Sequence, residues 1–308
     1  MRWASLFGCL FLTGGSFLAN AFDFKPQFEV GPQLTWGTAT ELVLRDGTYS
    51  NPISRLQWPV TPGMGLSFRA GLPWAPWTST EFGLSSVWPL AVGVVVDEDW
   101  NATTDTGGTL TYGKSSHTGM LTAHISASAE QQFHWGDGTI SLGGLYRWTS
   151  WEAWNGTGEY HYPSGSSSSY QFSGLVLSYE QRWIIPYLAA GWTVHWIGAT
   201  FHPSVRFSPY TWCFDTDNHF YAGTYTKTFL DTVRGGYYIR PSLDLSWRVG
   251  AAEFGIRGAF DLAWGATGDT ITTNNVQSGL GNTASYPQAT NSAGAWFYEA
   301  SLSFFVRN

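Results

Sequence analysis

The chain has 308 residues, a net charge of −7, 36 glycines and 18 tryptophans, with aromatic residues at 17% and charged residues at only 12%. That charged share is about half of what a soluble enzyme of this size carries, and no stretch holds the 3.6-residue apolar period of amphipathic helices, so a helix-bearing soluble enzyme is excluded. No segment beyond the N-terminal leader has about eighteen consecutive apolar residues, which excludes transmembrane helices.

What remains is an all-β chain. Long alternating stretches broken by Gly, Ser, Asn and Asp, with few charges and many Trp and Tyr, fit an outer-membrane β-barrel. A secreted, Trp-rich β-sandwich that binds carbohydrate is the other all-β reading. At the N-terminus Arg2 precedes an apolar run over 6–18, and Ala19-Asn20-Ala21 forms a small-x-small cleavage site. Residues 1–21 read as a signal peptide and 22–308 as one barrel domain. Cleavage removes Cys9 and leaves Cys213 without a disulfide partner; between Trp212 and Phe214 it reads as packing.

In chain order, a first strand is expected over 28–44, with Val30, Pro32, Leu34 and Trp36 facing lipid and Gln33, Thr35, Gly37, Ala39 and Glu41 facing the interior. A second returns over 53–72. The third, 81–96, puts Phe82, Leu84, Trp88, Leu90, Val92, Val94 and Val96 on one face, so Asp97 and Asp99 point inward at its end and Glu98 outward. A Thr- and Gly-rich loop follows to 116. Strands four and five meet at a tight hairpin, Gly136-Asp137-Gly138. A polar loop over 155–170 carries the serine run 166–169, a flexible tip by composition. Strand six covers 171–196 and strand seven 200–214. Strand eight runs from 227 to 247 and strand nine from 253 to 265. A long Asn/Thr/Gly/Ser loop reaches 293, and strand ten ends the chain with Trp296, Tyr298, Leu302, Phe304 and Val306 alternating.

The prediction is therefore a ten-stranded antiparallel transmembrane β-barrel. Its short turns fall near 73, 137, 198 and 250 and its long loops near 48, 106, 162, 220 and 279. In such barrels short turns are periplasmic and long loops extracellular, so strands one, three and seven run outward. They deliver Glu41, Asp97, Asp99, Asp215, Asp217 and His219 to the extracellular rim. One conflict of phase arises: Phe201, Val205 and Phe207 share odd parity with the acidic trio. A bulge near Ser208-Pro209, or a wall that has already cleared the membrane, resolves it.

The stretch Asp215-Thr216-Asp217-Asn218-His219 carries the chemistry. In extended backbone, residues i and i+2 share a side about 7 Å apart, close enough for a carboxylate to hold an imidazole in one tautomer and favour its protonated form. Read more plainly, Asp and Asn here simply make a polar turn. The gathered rim has three readings. A divalent-cation site suits carboxylates but lacks dense oxygen-ligand spacing, and a histidine fits calcium poorly. An acidic pore mouth would attract cations. A hydrolytic site would use the Asp–His pair as base and a second carboxylate pair, one member keeping its proton, opposite. Spacing alone leaves the last two level.

The segments Asp97-Glu98-Asp99-Trp100 and Asp215-Thr216-Asp217-Asn218-His219 resemble the D-x-D-W and D-x-D-x-H motifs of the omptin family of outer-membrane proteases. Gly37-Thr38-Ala39-Thr40-Glu41, Ser54-Arg55-Leu56-Gln57-Trp58, Tyr179-Glu180-Gln181-Arg182 and Pro186-Tyr187 match it as well. The resemblance implies a ten-stranded barrel with an extracellular catalytic groove and the catalytic residues Asp97, Asp99, Asp217 and His219. It implies that His219, oriented by Asp217, takes a proton from a water that Asp97 and Asp99 position. No acyl-enzyme, cofactor or metal is implied. Glu41 and Asp215 would hold a basic side chain before the scissile bond, so the expected partners are basic peptides or proteins, with no nucleic acid, met by a monomer in the outer membrane. The family's lipopolysaccharide patch is matched only at Tyr146 and Arg182, the stretch Tyr146–Ser150 reading Tyr-Arg-Trp-Thr-Ser, so lipopolysaccharide dependence is not expected. Tyr112 or Gly113 falls where an acid would serve a second basic residue, so none is expected after the cut. A catalytically silent barrel, porin or adhesin, is the rival.

Overall fold

The computed structural model describes residues 25–45, 47–49, 52–101, 109–221, 225–277 and 283–308. The expected signal peptide and the tips of several loops lie outside them.

Ten staves form the wall, five of them interrupted. The first is β1 (Gln27–Leu44). The second is β2 (Pro52–Pro59) with β3 (Gly63–Ala75), and the third β4 (Thr78–Val87) with β5 (Leu90–Trp100). Then come the long hairpin strands β6 (Tyr112–Trp135), β7 (Gly138–His161) and β8 (Ser167–Trp192), the last followed by β9 (Val194–Trp196). The seventh stave is β10 (Ala199–Ser208) with β11 (Thr211–Tyr221), and the eighth β12 (Tyr225–Gly235) with β13 (Tyr237–Val249). Strands β14 (Ala252–Gln277) and β15 (Thr283–Arg307) complete the ring. β1 pairs antiparallel with β15, from Glu29 opposite Arg307 to Leu44 opposite Ser292. The last strand thus satisfies the open edge of the first, and the sheet closes into a barrel. Closure excludes the two-sheet sandwich.

Alternation along each strand sorts side chains between lipid and lumen. Val30, Trp36, Phe68, Leu84, Leu142, Leu188, Leu243 and Phe304 all face outward and exposed. The lumen inverts the usual pattern and holds charged side chains that neutralise one another. Arg257 bridges Glu29 and Asp244, Arg240 reaches Asp261 at 2.6 Å, Arg206 reaches Glu130 at 3.1 Å, and Arg147 meets Glu299 at 3.2 Å. Towards the extracellular end this gives way to an aromatic plug. Trp58 stacks on Tyr179 at 5.4 Å, Trp151 lies 5.6 Å from the same ring, and Trp183 meets Phe297 edge-on at 5.2 Å. All of these rings are fully buried. The cross-section there is packed with side chains, which a water-filled pore does not allow.

Interruptions in the staves let the wall change phase. Proline has no N–H for the ladder, so Pro209 separates β10 from β11, and the Ser208 hydroxyl donates to the Tyr210 carbonyl at 2.6 Å. Phe207 therefore faces out while Asp215 faces in, which resolves the parity conflict by a break at the expected place. The neighbouring stave breaks at Gly235 and Gly236, both at positive φ, where a side chain would be strained. Two expectations are corrected. Val92 was expected on the lipid face but is 1% exposed, because a register shift between Ala91 and Gly93 turns it inward while Val94 remains outside. The loops over 155–170 and 266–293 are shorter than expected: β7 and β8 pair from Gly138–Trp192 up to His161–Ser167, and β14 and β15 pair up to Gln277–Thr283. Polar Ser, Thr and Asn there sit in strands because the wall extends above the lipid, where neither face needs apolar residues.

Candidate active site

Three strand ends converge at the extracellular side. β11 carries Cys213, Asp215 and Asp217 inward and Trp212 and Phe214 outward, as the period of two requires. β5 brings Asp97 and Asp99, paired across the wall with Ser115 and Gly113 of β6. β1 brings Glu41, opposite Leu56 of β2 and Ala295 of β15. The outer wall at this height is charged. Arg55, Tyr112 and Lys114 gather around Glu98, the tyrosine donating at 2.9 Å, and Arg182 pairs with Glu180. Such side chains do not face hydrocarbon, so the site stands above the membrane-spanning belt.

Glu41, Asp97, Asp99, Asp217 and His219 line one groove of about 470 Å³, together with Leu56, Leu110, Lys227 and Phe229. His219 Nε2 lies 2.5 Å from Asp217 Oδ2; Asp217 is buried, while the His219 side chain keeps 22% of its surface exposed. Phe229 meets the imidazole edge-on at 5.3 Å and holds its plane. Burial works against a charged ring, but the Asp217 carboxylate and its hydrogen bond, with Asp97 beyond, outweigh it and raise the His219 pKa to about 9. Desolvation and the charge of Asp99 push Asp97 well above the usual carboxylate range. The groove thus pairs a base strengthened by its carboxylate partner with an acid whose affinity for a proton is raised, a separation that acid–base catalysis needs.

Asp215 sits behind the groove rather than on its lining. Its position is set by a run of side chains on the inward face of β8: Trp183 Nε1 donates to Gln181 Oε1 at 2.7 Å, Gln181 Nε2 to Tyr179 Oη at 2.9 Å, and Tyr179 Oη to Asp215 Oδ2 at 3.2 Å. Residues 179, 181 and 183 are two apart, so all three point the same way. The sequence reading quoted this stretch without giving it a task, although the i, i+2, i+4 spacing of polar groups in a strand was visible. It also missed Asp231, which β12 places directly opposite Asp215. Among the described residues, Glu41, Asp215 and Asp231 are the acids close enough to share one cation, with an oxygen of each within 4.8 Å of the others. Burial and the neighbouring carboxylates raise the pKa of Glu41 and Asp215 well above normal, and that of Asp231 to about 7.

Tyr146 and Arg182 are not brought into the groove. Both face outward, on adjacent strands, and the register that sets Trp148 opposite Arg182 makes them diagonal neighbours on the outer wall. Tyr112 also faces out, between Trp100 and His161, and contributes nothing to the groove lining.

A model of the Omptin family matches residues 29–305, nearly the whole described wall. In structure the chain is similar to the outer membrane protease OmpT from Escherichia coli, with a TM-score of 0.76 at 14% identity, over 94% of this chain and 98% of that one. The beta domain of the Bordetella autotransporter BrkA aligns with a TM-score of 0.31 and 11% identity, over 89% and 98%. The translocator domain of the autotransporter NalP from Neisseria meningitidis aligns with a TM-score of 0.33 and 10% identity, over 89% and 88%. No curated protein sequence matches the chain. From a family match over the length of a closed ten-stave barrel, the chain belongs to the omptin family and is an outer-membrane protein.

Proposed function

We propose that this barrel is an outer-membrane endopeptidase that cuts peptides and exposed protein segments after Arg or Lys. The observation that carries the reading is the His219–Asp217 pair, at 2.5 Å, in one groove with Asp97 and Asp99. Family membership supports the protease class.

With Nε2 donating to Asp217, the His219 Nδ1 atom is the one that takes a proton from water. Asp217 stabilises the imidazolium that results, so the base strengthens as the reaction proceeds. The hydroxide attacks the scissile carbonyl carbon, and the carbonyl oxygen takes up the electron pair. Asp97, with its raised affinity for a proton, donates a hydrogen bond to that oxyanion, and Asp99 holds the water in place. Collapse of the tetrahedral species breaks the C–N bond, and the proton on His219 passes to the leaving amine. Glu41 and Asp215 hold the basic side chain before the cut, which explains a preference for cations even though Arg45 and Lys227 also line the groove. That bound cation also lowers the field at His219, so substrate binding eases loss of its resting proton. The protein acts as a monomer, needs no cofactor, and cleaves without lipopolysaccharide.

The test is cleavage of a quenched peptide with a single Arg by the detergent-refolded barrel, with and without lipopolysaccharide. His219→Ala and Asp217→Asn are expected to lower kcat by about 10²–10⁴-fold while heat-modifiable migration of the barrel is retained. A folded barrel that cleaves nothing refutes the reading and returns the protein to a silent barrel.

A further inference from the structure

One feature of the extracellular end goes beyond two acids and a basic side chain. Glu41, Asp215 and Asp231 are each at most 5% exposed, and among the described residues four of their oxygens (Glu41 Oε2, Asp215 Oδ1 and both of Asp231) meet no donor of normal geometry, although Asp215 and Asp231 lie close enough to share a proton between them. Thr270 faces Asp231 across the β12–β14 pairing and approaches it closely enough to favour its charged form, yet its own buried hydroxyl makes no bond of normal geometry. Native interiors rarely leave so many acceptors orphaned, and orphaned charge is costlier still. The strands between them carry small residues: Ala266, Ala293 and Ala295 are fully buried on the intervening β14 and β15.

The size of this cage decides what fits. Three atoms no more than 4.8 Å apart all lie within about 2.8 Å (4.8/√3) of a common point, the normal length of a charged N–H···O bond. An ammonium placed there gives one of its three donors to each carboxylate. A guanidinium does not fit in that way. Its central carbon stays about 3.7 Å from any oxygen that its N–H groups reach, so three acceptors spread around it stand more than about 6 Å apart. Calcium prefers oxygens at about 2.3–2.6 Å and takes six to eight of them, more than three side chains supply. We infer that Asp231 joins Glu41 and Asp215 in a three-carboxylate cage for a lysine ammonium, which makes Asp231 a specificity-determining residue favouring lysine over arginine before the cut. The inference rests on the protease reading above, and Glu41 supplies the link, since it both lines the groove and belongs to the cage.

The experiment compares two quenched peptides that differ only in one Lys or Arg, using the full refolded barrel and its Asp231→Asn and Asp231→Ser variants. Removing one carboxylate relieves repulsion, so both variants are expected to fold, with heat-modifiable migration as the check. In both, KM for the Lys peptide is expected to rise about tenfold or more, with kcat unchanged and KM for the Arg peptide moving far less. A loss shared equally by both peptides, or no change in their ratio, overturns the assignment while leaving the protease reading intact. Millimolar calcium that competes with substrate in the wild type but not in Asp231→Asn, with the Lys/Arg ratio unmoved, makes the cage a metal site and also overturns it. No cleavage of either peptide by the wild type refutes the underlying reading itself.

Discussion

Tyr179→Phe isolates the hydrogen-bond run that positions Asp215. The substitution keeps the ring, and with it the stacks on Trp58 at 5.4 Å and Trp151 at 5.6 Å, and removes only the hydroxyl. Asp215 loses its hydroxyl donor and keeps only the Cys213 thiol at 3.9 Å, and the Gln181 amide loses its acceptor. A hydrogen bond to a charged group is worth about 1.5–3 kcal/mol, and at 3.2 Å this one is long for an O–H donor, so the lower end applies. About 1.5 kcal/mol corresponds to roughly tenfold in KM for a basic peptide. Tyr179 also helps to hold Asp215 ionised, against desolvation and the Asp231 charge, so its loss favours the protonated acid and acts in the same direction. Because Tyr179 does not line the groove, kcat is expected to stay within about twofold. The assay is steady-state cleavage by wild type, Tyr179→Phe, Asp215→Asn and the double variant. If the tyrosine acts through Asp215, the double variant is no worse than Asp215→Asn, a coupling of about 1 kcal/mol or more. Strictly additive losses, or a fall in kcat at constant KM, would refute the reasoning.

Two further expectations concern pH. The field that lifts His219 to about 9 is opposed by Lys227, its register partner on β12, so Lys227→Gln is expected to move the acid limb of the kcat/KM profile to higher pH without lowering the plateau; a shift to lower pH would refute the charge assignment. Stability should respond in the opposite sense to ordinary acid denaturation at these acids. Glu41 and Asp215 have folded pKa values raised above their unfolded ones, so the native state binds the extra protons, and stability falls as pH rises from the unfolded pKa through the folded one. Glu41→Gln is therefore expected to raise the unfolding midpoint in detergent at pH 8 and to leave it nearly unchanged at pH 4, with thermal melts followed by band-shift on gels as the measurement. His219 reinforces this trend, its contribution being full below about 6.5 and lost as pH rises through its folded value of about 9.

Much of this molecule was legible in one dimension, for a physical reason. A barrel wall that separates lipid from a polar lumen imposes a period of two on every strand, so counting parity from Val30 and Trp36 outward put Glu41 inside, and the same count from Leu84 put Asp97 and Asp99 inside. Ten staves and their order follow from turn residues. The sequence also showed its own inconsistency at Phe207 and Asp215, and proline chemistry located the break that removes it. Parity carries no information on extent above the membrane, because there both faces are wet, which is why the loops over 155–170 and 266–293 were overestimated. Nor does it foresee a bulge such as the one that turns Val92 inward.

What only the tertiary structure decided is depth and company. Strand counting delivers Asp215, Asp217 and His219 to one rim but does not tell that Asp217 and His219 line the groove while Asp215 lies behind it. Asp231 looked like any strand aspartate until β12 set it opposite Asp215 and the curve of the wall, across the small residues of β14 and β15, carried Glu41 to within 4.8 Å of both. The charge that residues feel depends on distances through space and on the water excluded between them, and neither quantity is a property of neighbours in the chain.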